Sequence, residues 1–150
     1  MTSRNGLRIA LSVAVLGVTA LSSTFVAVAT ATAAGPKVVV TPSTNLRNNE
    51  TVYVSGSGFK PGDTVFVVEC LRTATGSAGC KLPTGIPSGI TITAGGLLPR
   101  TSFRVSIGKI GNGTCGTTRA NLAKCAVSVG NASGGDTGVG NIVFAAPAKK

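Results

Sequence analysis

Residues 52–70 read VYVSGSGFKPGDTVFVVEC, two runs of β-branched and aromatic residues on either side of a turn. In Phe59-Lys60-Pro61-Gly62-Asp63 the proline presets φ at the first central position of a β-turn, and the glycine supplies positive φ at the second. The turn is expected to join two antiparallel strands. Beyond it, Val65, Phe66, Val67 and Val68 make the run TVFVVE, residues 64–69, apolar on both faces, because successive side chains of a strand point to opposite sides. Such a strand is central: one face meets the facing sheet, and the other is covered by a ligand, by a loop or by nothing.

Outward from this stretch the chain shows no helical period. Glycine, proline, asparagine and serine punctuate it every 8 to 15 residues or so, with β-branched and aromatic residues between, which is an all-β pattern. Candidate strands cover residues 37–42, 50–58, 64–70, 90–94, 100–107, 124–130 and 140–145. Seven short strands suit a sandwich. In residues 100–107 the alternation turns Phe103, Val105 and Ile107 toward the core and Ser102, Arg104 and Ser106 toward water. Gly95-Gly96, Gly111-Asn112-Gly113 and residues 130–135 read as loops, and none has the strand-to-helix setting of a phosphate-binding loop.

Four cysteines form two pairs of equal spacing, Cys70 with Cys80 and Cys115 with Cys125. They lie downstream of a segment that reads as an export signal: Arg4 and Arg8, then an uncharged stretch over residues 9–36 whose most apolar part is IALSVAVLGVTAL. Ala29-Thr30-Ala31 and Ala31-Thr32-Ala33 both fit the pattern cleaved by signal peptidase, so residues 1–34 are assigned to a signal peptide and residues 35–150 to one domain. The competing reading is an uncleaved membrane anchor, since the uncharged stretch is long enough to span. In an exported chain, paired cysteines form disulfides, and four of them allow three connectivities. Pairing near neighbours asks least of the chain and repeats one pattern twice. Each ring of about ten residues then constrains the unfolded state by about 2.5 to 3 kcal/mol. A four-thiolate zinc site is the alternative, but neither pair has the tight spacing with which one turn presents two thiolates.

The whole chain carries +10, and without Arg4 and Arg8 the remainder has 12 basic residues against four acids, or +8. That balance favours anionic partners such as nucleic acid or acidic polysaccharide, and it also serves plain solubility. No histidine occurs, which removes Ser-His-Asp and Cys-His catalysis, histidine-bound metals and histidine pH switching. Of the carboxylates Glu50, Asp63, Glu69 and Asp136, only Glu69 with Asp136 is left as a glycosidase-type pair. An enzyme is not expected. Sequons at Asn49, Asn112 and Asn131 are read as coincidence in turn-forming asparagines.

From Val40 the chain reads VTPSTNLRNNETVYVSGSGFKPGDTVFVVEC, followed ten positions later by Cys80. This resembles the opening of the neocarzinostatin family of enediyne-binding apoproteins, and the likeness continues through TSFRV (residues 101–105), the second cysteine pair, a Gly-Asn loop and NIVF (residues 141–144). The resemblance implies an immunoglobulin-like, seven-stranded antiparallel β-sandwich with two local disulfides, secreted and monomeric, without stable membrane insertion once the signal is removed. It implies no enzymatic activity and no cofactor beyond a non-covalent small-molecule chromophore, which the protein carries and shields, with antibiotic and DNA-directed activity following on release. The small hydrophobic ligand is then expected against Arg72, Ala78, Ile86, Ala126, Ser128 and Gly130, in a cavity between the loops closed by the two disulfides. Where the family has an aromatic ring two positions after the first cysteine, this chain has Arg72, and family members are acidic while this chain is basic. Phe66 is the aromatic left to meet a ligand. Two other readings stand beside the carrier: a ligand-free surface or adhesion module whose cleft is filled by side chains, and a direct binder of DNA or another polyanion through Arg72, Lys81, Lys109, Arg119 and Lys124. For the export reading, the intact mass of protein recovered outside the cell is expected to start within residues 32–35; a mass matching all 150 residues would instead mark an uncleaved anchor.

Overall fold

Asp63 donates its amide to the Lys60 carbonyl at 3.2 Å, and Gly62 takes φ +78°, so the proline–glycine turn forms as the sequence requires. It does not, however, close a hairpin. In the computed structural model, which describes residues 35–84 and 88–147, this turn carries the chain from one sheet to another. The signal-peptide segment lies outside the described residues.

Ten strand segments are described: β1 (Lys37–Thr41), β2 (Thr51–Ser57), β3 (Thr64–Leu71), β4 (Cys80–Lys81), β5 (Ile90–Thr91), β6 (Leu97–Arg104), β7 (Gly108–Ile110), β8 (Gly113–Cys115), β9 (Cys125–Asn131) and β10 (Gly138–Asn141). One sheet runs β1-β2-β6, and the other runs β10-β9-β3-β4 with β5 also paired to β3. β7 and β8 form a separate ribbon, and every pairing between these strands is antiparallel. Val40, Val52, Val54 and Leu98 from the first sheet meet Val65, Val127 and Val129 from the second in a single buried cluster. Each fully buried side chain of this size contributes about 1.5 to 3 kcal/mol, which is what holds the two layers face to face. β10 comes especially close to β1: Gly138 and Gly140 lie where a Cβ would strike Val38 and Val40.

Each of the seven sequence-predicted strand regions contains a strand, with shifted ends that have local causes. β6 starts at Leu97 rather than Arg100 and runs through Pro99, which is tolerated because β6 has a partner on one side only, β2. The terminal strand leaves β9 after Asn141; its continuation pairs with residues 43–46, where Leu46 donates to Val143 at 3.1 Å and Ala145 to Leu46 at 2.8 Å. That switch buries Leu46, Ile142 and Phe144. Only Ile90 and Thr91 of residues 90–94 join the sheet, because Ile92 instead bonds the Gly62 and Asp63 backbone. The Gly111-Asn112 segment, read as a plain loop, is the two-residue turn of the β7–β8 ribbon. Both disulfides join near neighbours, Cys70 to Cys80 and Cys115 to Cys125.

The outward face of the β1-β2-β6 sheet is solvated, and there Arg100 lies over the Tyr53 ring at 3.8 Å. Phe103 is half-buried against the core and Arg104 is exposed, as the alternation requires. Ser106 departs from it. β6 ends at Arg104, the chain turns, and Ser106 becomes buried rather than solvated. Its amide and hydroxyl both donate to Glu69 Oε2, at 2.9 and 3.0 Å, and its hydroxyl accepts from Lys81 Nζ at 2.8 Å. Glu69 is 1% exposed and its Oε1 has no partner among the described residues. Burial pushes its carboxyl above the ordinary glutamate value, outweighing the Ser106 bonds and the Lys81 charge that favour the anion. The folded protein therefore holds this proton more tightly than the unfolded chain does. The stability this confers is complete below pH 4.5 and is lost as pH rises through the folded value. Melting curves from pH 4 to 8 are expected to show Glu69→Gln gaining on the parent as pH rises; parallel curves would contradict the assignment.

Candidate functional site

The alternation along β3 divides its side chains between two environments. Val65, Val67 and Glu69 face the sandwich interior, and Phe66, Val68 and Cys70 face outward. On β9, paired to β3 with Val68 opposite Ser128 and Cys70 opposite Ala126, the same division sends Val127 and Val129 inward and Ala126, Ser128 and Gly130 outward. Together with Val139 of β10 these outward residues floor an open cleft of about 730 Å³, within the usual range for small-molecule sites.

Two walls rise from this floor. The first is the loop that follows β3, within the Cys70–Cys80 bridge and just beyond it, contributing Leu71, Arg72, Ala74, Thr75, Gly76, Ser77, Leu82 and Pro83. The second is the turn between β9 and β10, contributing Asn131, Ala132, Gly134 and Thr137. Both are fastened to the scaffold. Asn131 Nδ2 donates to Asp63 at 2.8 Å, its Oδ1 accepts from Ser133 and Gly135, and Asp136 accepts the Lys60 amide at 2.9 Å. The first wall is braced from behind by the β7–β8 ribbon: Asn112 donates to the Ala78 carbonyl at 3.0 Å, and at Gly111 a Cβ would collide with Ala78 and Cys80. Arg72 ties the wall to the second bridge and to the terminal segment. Its Nε donates to the Cys125 carbonyl at 3.3 Å and its Nη2 to the Ile142 carbonyl at 3.2 Å.

The residues singled out from sequence are thus partly assembled. Arg72, Ala126, Ser128 and Gly130 line the cleft. Ala78 does not; it lines a smaller recess behind the first wall, beside Asn112. Ile86 lies outside the described residues. The cavity is also displaced from its expected position between the two disulfide loops. Among the described residues, none from the loop inside the Cys115–Cys125 bridge lines it, and the β9–β10 turn stands there instead. Lys81 is engaged with Ser106, and Lys109, Arg119 and Lys124 are exposed and absent from the lining. Glu69 lies near the end of β3 and is bonded to Ser106, while Asp136 lies in the β9–β10 turn and is bonded to Lys60 ahead of the start of β3, so they do not form a catalytic pair. Sequence reasoning missed the second wall, whose glycines read as an unspecific loop. The doubly apolar β3 was the signal for the floor.

The lining is apolar with scattered hydroxyls, and Phe66 is its one aromatic among the described residues. Leu82 and Val139 are 59% and 54% exposed. Their apolar surface therefore meets solvent inside a concavity, the arrangement that marks a binding groove rather than ordinary surface. Known proteins share this framework. The Neocarzinostatin family matches over residues 38–144. Macromomycin from Streptomyces macromomyceticus is 35% identical over 105 residues, covering 66% of this chain and 70% of that protein. The solved structure of macromomycin superposes with a TM-score of 0.54 at 30% identity, covering 73% of this chain and 99% of that one. The solution conformation of apokedarcidin aligns at 25% identity with a TM-score of 0.44, covering 76% of this chain and 100% of the other. With the match spanning both sheets, both disulfides and the cleft floor, this chain belongs to the neocarzinostatin family.

Proposed function

We propose that this protein is an exported, non-enzymatic carrier that holds a small, largely apolar molecule non-covalently in the cleft above β3 and β9. The observation that carries this reading is the open concavity itself. Its floor strand presents Phe66 and Val68 outward when a solvated sheet would present polar residues, and no side chain of the described residues fills the space above them. Burial there removes the ligand from water and from external thiols, which is the protection that an enediyne chromophore needs and that membership of an apoprotein family makes the leading case. Release would then give the antibiotic, DNA-directed activity. Apolar contact supplies the bulk of the affinity, with Ser77 and Ser128 available for orientation. The paired cysteines and the leader-like segment support a secreted, extracellular site of action, and the single sandwich supports a monomer.

A second reading has one observation in its favour. Lys109, Arg119 and Lys124 are exposed outside the cleft on a domain of net charge +8, which suits contact with DNA or another polyanion. The two readings differ in their response to salt: polyanion affinity falls steeply with ionic strength, and apolar ligand binding falls little.

Native mass spectrometry of protein purified from its producer is expected to retain a small-molecule adduct. An empty protein that also ignores apolar fluorescent probes would remove the carrier reading. Ser128→Trp, which places an indole in the middle of the floor, is expected to lower probe affinity at least tenfold with little change in melting temperature. Opening either bridge by paired Cys→Ser exchange is expected to cost similar stability, about 2.5 to 3 kcal/mol, because both rings have the same length. Titration should separate them: loss of Cys70–Cys80 frees a cleft wall and weakens binding more than loss of Cys115–Cys125.

A further inference from the structure

Among the described residues that line the cleft, Arg72 is the only charged side chain. It is held in position on three sides: its amide donates to the Lys124 carbonyl at 2.8 Å, and its guanidinium donates to the carbonyls of Cys125 and Ile142. Both side-chain acceptors are neutral, so the positive charge is oriented without being cancelled. A guanidinium has further N–H donors beyond these two, in a planar fork suited to carboxylate, sulfonate or phosphate oxygens.

The chain's carboxylates are all committed elsewhere. Glu50 accepts the Arg47 amide at 2.7 Å, Asp63 accepts from Thr64 and Asn131, Glu69 is buried against Ser106, and Asp136 accepts the Lys60 amide. None of the four lines the cleft. A cationic ligand would find no counter-charge there and would meet the field of a domain carrying +8. An anionic one finds Arg72, a cation with neutral partners, in the wall beside an apolar floor.

We infer that Arg72 makes this cleft selective for apolar molecules bearing an acidic group, a carboxylate, sulfonate or ionised phenol, over neutral or amine-bearing molecules of the same shape. This rests on the carrier reading and adds the ligand's charge class to it. Because Arg72 is exposed, its charge is screened by water, and the preference it confers is of the order of three- to tenfold rather than larger.

Two probes sharing one aromatic body separate charge from shape: 8-anilinonaphthalene-1-sulfonate, which is anionic, and N-phenyl-1-naphthylamine, which is neutral. Both are titrated by fluorescence against the parent domain, Arg72→Gln, Arg72→Lys and, to control for stray binding to surface cations, Arg104→Gln. Arg72→Gln loosens the wall for both probes alike, and is expected to lose about three- to tenfold more affinity for the sulfonate than for the neutral probe. Arg72→Lys should keep part of the preference and Arg104→Gln all of it. In the parent, raising sodium chloride from 50 mM to 1 M should erode the sulfonate preference alone, a measurement that needs no variant to fold. Equal losses for both probes in Arg72→Gln would make Arg72 a strut for the wall and nothing more, and would overturn the inference while leaving the carrier intact. A sulfonate preference that survives Arg72→Gln or high salt would overturn it as well. If the parent binds neither probe, the carrier reading itself fails, and the charge preference with it.

Discussion

Strand β3 has to satisfy two apolar faces at once. A sandwich of two sheets offers an apolar partner to only one face of each strand, and Val65 and Val67 take that partner by packing into the interior. Phe66, Val68 and the Cys70–Cys80 bridge are left on the other side, where burial requires something beyond the two sheets. The loop after β3 and the turn after β9 go part of the way, standing up as walls and leaving the middle open. The cleft is therefore the unsolved half of a packing problem set by one strand, and filling it with a ligand completes the burial that the fold leaves unfinished.

The walls stay apart because separate devices hold each of them. The first is closed at its base by Cys70–Cys80, propped by the β7–β8 ribbon, and fastened by Arg72 to the carbonyls of Cys125 and Ile142. The second is pinned through Asn131 and Asp136 to the turn that precedes β3. Neither wall is attached to the other by any hydrogen bond among the described residues, and both are attached to β3 or its neighbours. A cavity maintained in this way is pre-formed, so a ligand entering it spends little binding energy on ordering the protein.

Much of the architecture was legible in the sequence, because strands declare themselves through local composition. The seven strand regions, the proline–glycine turn, the disulfide pairing and the outward side chains of β3 all follow from patterns within about ten residues. What could not be read depends on distant partners. The turn at Pro61-Gly62 leads between sheets instead of closing a hairpin, since the pairing of β2 with β6 and of β3 with β9 is decided by segments 40 to 66 residues away. Ser106 looked solvated in its alternation, yet the chain turns after Arg104 and Glu69 draws it inward. The lining of the cleft was legible in part. Arg72, Ala126, Ser128 and Gly130 face the cleft, while Ala78 faces away from it and the β9–β10 turn replaces the second disulfide loop as a wall.

Because Val65, Val67, Val127 and Val129 build the interior and Phe66, Val68, Ala126, Ser128 and Gly130 build the floor, one pair of strands serves two masters without forcing either to compromise. Exchanging Phe66, Val68 or Ser128 leaves Val65, Val67, Val127 and Val129 untouched. A lineage carrying this scaffold can therefore drift from one cargo to another through a handful of replacements at alternate positions while the melting point stays where it was. Scaffolds of this construction should diverge fastest on the surface that meets the guest, and it is there that this chain carries Arg72.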